Sequence, residues 1–464
     1  PCAIPIGGIV AALAGGNTVI LKPATVAAPV AWLFAQAFWD AGVPKEALQV
    51  IITDRDALKV LTSAPAIKHI ILTGGTDTAQ NIARSNPSTP LSAETGGKNA
   101  IILTASGDRD HAIMNVVASA FGNAGQKCSA CSLLLVERSV YEDKNFREKL
   151  KDAATSMKVG SVWNPGNVVG PMITNGNDKL LKALELEQGE SWLVPPQFLD
   201  KNKYVLAPTV KWGVRPGSYS FRTELFGPML SVVCIENLQQ GIELVNSLDY
   251  GLTSGLQSLD EEEQRLWKNS IMAGNLYINR GITGAIVNRQ PFGGMKLSAF
   301  GGGVKAGGPN YCACFVKISD KPGSTTDYKQ SYPKAYEQEF AHARDINNLY
   351  GEQNVFRYLP LRNMVLRLFP GDTNEDAQMI AFAAKICHTP LTISFEPGDD
   401  RTTALASLGC SLKKESLQEF LKSMSEYERI RTCGVDIPME MYEEAARTCL
   451  LYTSPSPRDG ATSR

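Results

Sequence analysis

The segment Gly125-Gln126-Lys127-Cys128-Ser129-Ala130 joins the end of an apolar helical pattern to a run of strand-forming residues. A cysteine in such a turn can expose its sulfur while a backbone N–H faces a reacting carbonyl. The thiolate is the nucleophile, so a site built on Cys128 has to manage a pKa that starts near about 8.5. The bland alternative is a buried small hydrophobe, the usual fate of an unpaired cysteine. Cys131 forms a Cys-x-x-Cys with Cys128, but no second Cys or His pair complements it, so zinc or redox chemistry lacks partners. Upstream, Glu94-Thr-Gly-Gly-Lys98 sets a carboxylate at a glycine-rich strand end. Most acidic side chains are solvated surface, so Glu94 by itself carries little weight. Downstream, Glu224-Leu-Phe226-Gly-Pro228 and Gln290-Pro-Phe292-Gly-Gly294 read singly as turns beside a core aromatic.

These residues need a frame, and the first third of the chain alternates strand and helix signals. Asn17 to Leu21, Leu48 to Thr53 and Ile67 to Leu72 read as short buried strands, and Pro29 to Asp40 as an apolar helix ended by Gly42. Such alternation predicts a parallel sheet covered by helices. A second unit follows, with strands at Asn99 to Leu103, Cys131 to Glu137, Leu230 to Ile235 and Asn275 to Asn279. Its helices run through His111 to Gly125 and through Gly241 to Asn246. Glycines from Gly293 to Gly308 predict a long irregular loop, and Asp320 to Tyr328 a linker. Polar helices and scattered strands are expected beyond it.

With 464 residues the chain suits two or three domains. A net charge of -1 supplies no electrostatic case for nucleic acid or an anionic membrane, and no apolar run is long enough to span a bilayer. The 10 cysteines are few and irregularly spaced, which points to a reducing compartment, the cytoplasm, rather than a disulfide framework. The 4 histidines show no metal-ligand spacing, so no metal site is expected.

Taken in order, the four motifs resemble the aldehyde dehydrogenase superfamily over about residues 1 to 318. In that family E-[LT]-G-G-K precedes G-Q-x-C, then E-[IL]-F-G-P, then P-F-G-G. The resemblance implies an α/β aldehyde dehydrogenase fold: a Rossmann-like cofactor domain, an α/β catalytic domain and, here, a C-terminal α/β extension. It implies Cys128 as nucleophile, Glu94 as general base, Glu224 as ligand of the nicotinamide ribose and Phe226 beside the nicotinamide. Lys22 takes the place of the family lysine that bonds the adenosine ribose. Gly74 and Gly75 take that of the turn meeting the pyrophosphate, a pattern that alone is just a turn. The cofactor expected is NAD, with NADP left open because Thr25 stands where many NAD-preferring members carry Glu.

Ser129, the run Thr283-Gly284-Ala285 and the closing Lys305-Ala-Gly-Gly-Pro309 are similar to L-glutamate γ-semialdehyde (1-pyrroline-5-carboxylate) dehydrogenase, especially the module within bifunctional proline utilization A. This resemblance implies a small aldehyde substrate whose α-carboxylate is held by Ser129, Gly284 and Ala285, with Phe292 lining the pocket. Read without it, these are small residues in a tight loop. A general or coenzyme A-acylating aldehyde dehydrogenase and a noncatalytic scaffold are the competing readings. The expected division is a partial NAD(P)-binding domain at 1–96 and a catalytic domain at 97–303. The end of the dehydrogenase module with an oligomerisation strand follows at 304–320, then a noncatalytic domain at 321–448, whose segment Glu337 to Leu361, including Gly351 to Pro360, also resembles proline utilization A. A homo-oligomer is expected, as is fusion to an upstream flavin-dependent proline dehydrogenase. The chain is expected to be truncated before Pro1, losing an asparagine of the family's oxyanion hole, and residues 449–464 resemble a translated sequencing adapter.

Overall fold

The computed structural model describes residues 2–302, 304–316, 327–399, 401–434 and 437–448. The adapter-like end, most of the 320–328 linker and the final residues of the expected oligomerisation strand lie outside them. The chain divides into two compact units. One holds residues 1–93, 286–291 and 300–464; the other holds 94–285 and 292–299.

In the first unit, α1 (Ala3–Ala14) is an apolar helix that the sequence reading did not anticipate. It buries Ile9 with Ala35 and Leu48. Strand β1 (Val19–Leu21), α2 (Ala28–Asp40) and β2 (Leu48–Val50) form a parallel β-α-β pair. Helix α3 (Arg55–Thr62) starts at Asp54, whose carboxylate accepts the Ala57 N–H at 2.9 Å; this satisfies one of the free donors of the first turn. Then come β3 (Ile70–Thr73), α4 (Thr76–Ser85) and β4 (Leu91–Glu94), a three-stranded sheet being completed by Ala299–Phe300. The expected glycine-rich loop is therefore not wholly irregular: Met295–Lys296 and Ala299–Phe300 are strands.

Of the strands expected beyond the linker, Arg344–Asp345 and Val355–Phe356 pair antiparallel on their own, and four others form one parallel sheet. Its order is Ser411–Lys414, Leu391–Phe395, Met364–Arg367, Arg429–Arg431. Both faces are covered, with Leu366, Ile393 and Ile380 in one core and Val365, Phe420 and Met441 in another. Arg367 is fully buried at a strand end, donating to Ser394 Oγ at 2.8 Å and the Glu415 carbonyl at 2.9 Å and pairing with Glu396.

The second unit is built on seven strands: β5 (Asn99–Leu103), β6 (Cys131–Glu137), β7 (Ser191–Val194), β8 (Thr209–Trp212), β9 (Met229–Ile235), β11 (Thr253–Gln257) and β12 (Asn275–Ile278). A two-residue strand, β10 (Tyr250–Gly251), pairs elsewhere. The sheet order is β12-β11-β5-β6-β9-β8-β7, parallel except for β7. Ile101 and Leu103 enter one core with α5 (Arg109–Phe121), while Ala100 and Ile102 enter the other with Ile242 and Trp267. A strand covered on both faces reads as a continuous apolar run, which is why β5 and β6 are visible in sequence.

Candidate active site

Three of the four motifs lie immediately before adjacent parallel strands. Glu94 to Lys98 leads into β5, Cys128 to Ala130 into β6, and Glu224 to Pro228 into β9. Neighbouring strands sit about 4.8 Å apart, so the order β5-β6-β9 gathers the three loops at the amino edge of one sheet.

The turn that carries Cys128 begins where α5 ends. Asn123, Ala124 and Gly125 all have positive φ, at 57°, 53° and 64°. This left-handed run turns the chain sharply from the helix towards β6. At Gly125 a Cβ would collide with the Gly227 carbonyl, so the conformation and the close approach both demand glycine. Gln126 then ties two loops together: its Nε2 donates to the Phe226 carbonyl at 3.3 Å and its Oε1 accepts the Ile173 N–H at 2.8 Å. Asn99 anchors the turn from below, donating to the carbonyls of Cys128 at 2.7 Å and Ala130 at 3.0 Å. Its own oxygen accepts the Thr253 N–H at 3.1 Å.

Cys128 is half-buried in that turn. Its thiol is pushed up to about 11, first by burial and then by the Glu94 carboxylate, with Glu224 adding to it; the Ser129 N–H and Lys127 oppose the shift. Both carboxylates expected from sequence thus lie within electrostatic reach of the sulfur. Burial also raises Glu224, against the Gly97 N–H that it accepts at 2.9 Å and the charges of Lys179 and Lys98. A Cβ at Gly96 would overlap the Glu224 carboxylate, and one at Gly97 would lie 2.7 Å from the Cys128 carbonyl. The Gly-Gly pair is what lets both loops close on it.

The remaining expected residues fall into two groups. Ser129 is buried, and its carbonyl accepts the Thr253 hydroxyl at 3.4 Å. Phe226 has φ of 50° and is 40% exposed. Gly284 and Ala285 follow β12, the first half-buried and the second exposed. Phe292 is half-buried beside Gly293, whose N–H donates to Asn275 Oδ1 at 3.2 Å. The Tyr277 phenol on β12 is raised to about 12, mainly by burial, with Cys128 among the smaller causes, so this strand also approaches the sulfur. Lys22, Gly74 and Gly75 belong to the other unit. Lys22 follows β1 and is half-buried, and Gly74 and Gly75 are exposed between β3 and α4. The helix opens at Thr76, and a Cβ at Gly75 would meet nothing within 4 Å. Open backbone ahead of a helix N-terminus is suited to a pyrophosphate.

Two residues escaped the sequence reading. Asn99 was legible only as the start of a strand. Lys98 is buried, and its Nζ has no hydrogen-bond partner among the described residues. Burial lowers it to about 7, with Glu224 and Cys131 working against that shift. The signal available was a polar Lys-Asn pair directly ahead of an apolar run.

The aldehyde dehydrogenase family profile matches residues 1–320. Over 322 residues the chain is 35% identical to 1-pyrroline-5-carboxylate dehydrogenase of Geobacillus thermodenitrificans (strain NG80-2), covering 67% of this chain and 62% of that protein. Against the enzyme of the same name from Bacillus subtilis (strain 168) it is 34% identical, with the same shares covered. Among solved structures, proline utilization A from Corynebacterium freiburgense matches with a TM-score of 0.84 and 36% identity, over 99% of this chain and 47% of that one. The 1-pyrroline-5-carboxylate dehydrogenase from Thermus with bound NAD matches with a TM-score of 0.63 and 34% identity, over 68% of this chain and 62% of that one. The chain thus spans under two thirds of the length of these relatives. With ordered motifs, converging loops and a family match over most of its length, the chain belongs to the aldehyde dehydrogenase family.

Proposed function

We propose that the chain carries the aldehyde-oxidising site for L-glutamate γ-semialdehyde, releasing L-glutamate with NAD as electron acceptor. The observation that carries this reading is the convergence of Cys128 with the Glu94 and Glu224 carboxylates ahead of three adjacent strands. The names of the relatives support the substrate, and the NAD-bound Thermus structure supports the cofactor.

The chemistry follows from the residues. The Cys128 sulfur adds to the aldehyde carbon as its thiol proton passes to solvent water, giving a tetrahedral adduct. NAD, when bound, supplies the acceptor for the hydride that this carbon must lose. Lys22 and the Gly74–Gly75 turn would hold its adenosine half, and Glu224 with Phe226 its nicotinamide half. The thioester left on Cys128 needs water, and Glu94 takes the proton of that water as it attacks. Ser129 with the Gly284 and Ala285 backbone forms the cradle for the α-carboxylate, and Phe292 lines the same pocket. Small residues and free amides hold an anion without filling the space its chain needs.

The wider assignments belong to the same proposal. Residues 1–96 form part of the cofactor domain, 97–303 the catalytic domain, 304–320 the module's end and 321–448 a noncatalytic domain. The match to proline utilization A supports a bifunctional protein in which a proline dehydrogenase precedes this segment. We also propose a homo-oligomer. No helix of the described residues is long and apolar enough to cross a membrane.

The test is NAD reduction with glutamate semialdehyde, acetaldehyde and succinate semialdehyde, each with and without coenzyme A. A clear preference for glutamate semialdehyde in kcat/KM, with free glutamate as product, is expected. Equal turnover of the simple aldehydes would remove the substrate assignment, and coenzyme A-dependent product would make the enzyme acylating.

A further inference from the structure

The loop after β12 is held at three successive points. Asn279, at φ of 52°, accepts the Ser258 N–H at 2.9 Å and donates to the Ser258 carbonyl at 2.8 Å. Ile282 is fully buried and its N–H donates to Ser119 Oγ at 3.0 Å. The third hold is the tightest: the Tyr277 hydroxyl donates to the Gly284 carbonyl at 2.5 Å. Tyr277 is 5% exposed, and the Arg280 guanidinium lies 5.9 Å from its ring centroid. The hydroxyl therefore has little freedom to turn elsewhere.

Peptide geometry gives this bond a consequence. The carbonyl of Gly284 and the N–H of Ala285 share one planar, trans peptide unit and point in opposite directions. Fixing the carbonyl on Tyr277 therefore aims the Ala285 N–H away from β12, and Ala285 itself is exposed. Two residues earlier on the same strand, Asn275 holds the Gly293 N–H beside Phe292. Alternate residues of a strand share a face, so one face of β12 fixes both segments assigned to the substrate.

We propose that Tyr277 is a positioning residue that sets specificity for aldehydes bearing a carboxylate, by orienting the Ala285 N–H towards that anion. This rests on the glutamate semialdehyde reading. The phenol stays protonated, and so remains a donor, through the neutral and mildly alkaline range. Tyr277 acts through the peptide and touches no reacting atom.

The experiment compares the full chain with Tyr277→Phe, measuring kcat and KM for glutamate semialdehyde and for pentanal, an uncharged aldehyde of the same chain length. Loss of the hydroxyl, which bonds the Gly284 carbonyl and the Asn275 side chain, should lower the kcat/KM ratio between the two substrates about 3- to 10-fold, through KM for the charged one. Hydrogen exchange at the Ala285 amide should speed up. An unchanged ratio, or equal losses on both aldehydes, overturns the proposal while leaving the substrate assignment standing. If the parent shows no preference for glutamate semialdehyde, the substrate assignment fails and the role of Tyr277 falls with it. Should Tyr277→Phe fold poorly, Ser119→Ala frees Ile282 of the same loop, and the ratio is expected to move in the same direction; no movement overturns the proposal.

Discussion

At the scale of single residues, the tension lies between a sulfur that must ionise and carboxylates that oppose it. With its thiol pushed up to about 11, Cys128 is almost wholly protonated near neutrality in the ligand-free form. Its thiolate population should rise about tenfold per pH unit until that value. Glu94→Gln removes a negative charge that raises the thiol. The variant should therefore react faster with iodoacetamide at pH 7.5 than the parent, while thioester hydrolysis slows by about 10²- to 10⁴-fold. Stopped alkylation time courses and single-turnover product release measure the two effects separately. An alkylation rate that falls or stays level would mean the carboxylate does not reach the sulfur. Cys128, Glu94 and Glu224 stand out in sequence as candidates because their motifs follow one another in the order of the family they resemble. Lys98 was not: a lysine is normally solvated, and nothing in a linear chain shows that this one is enclosed.

At the scale of elements, the site depends on how a helix is stopped. Residues 123–125 leave α5 through three left-handed backbone conformations, and only the third is glycine. Gly125→Ala would set a methyl group against the Gly227 carbonyl and penalise the positive φ. We expect a loss of about 2 kcal/mol or more in urea unfolding, with Cys128 alkylation altered because the turn must move. Unchanged stability would show that the two loops are not in close contact. The sequence marked the strands on either side of this turn to the residue, since both are apolar runs buried on two faces. It gave no sign of the left-handed run through Asn123 and Ala124, because alanine has no intrinsic preference for that conformation and adopts it only under tertiary constraint. Helix α1 was missed for a related reason: an apolar stretch with two adjacent glycines carries no clear amphipathic period.

At the scale of the whole molecule, the first unit is assembled from segments far apart in the chain. Helix Met439–Thr448 packs on α4, and its Met441 shares a core with Val365, Phe420 and Ile430. Deleting residues 437–448 should cost a few kcal/mol, since burying one such side chain is worth about 1.5–3 kcal/mol. Hydrogen exchange should then accelerate in α4 together with the C-terminal sheet, while β5, β6 and β9 keep their protection. Acceleration confined to the C-terminal sheet would show that α4 does not depend on that helix. The chain by itself showed the family through its ordered motifs, proposed Cys128, Glu94 and Glu224 through the same resemblance, and marked the strands that follow them by their apolar runs. Only the tertiary structure decided that β5, β6 and β9 are neighbours, that Asn99 and Gly125 hold the Cys128 turn, and that four C-terminal strands join one parallel sheet. Strand order arises from pairing between segments that are not adjacent in sequence, as where Leu133 meets Ser231 and Met364 meets Arg429, and no local signal encodes it.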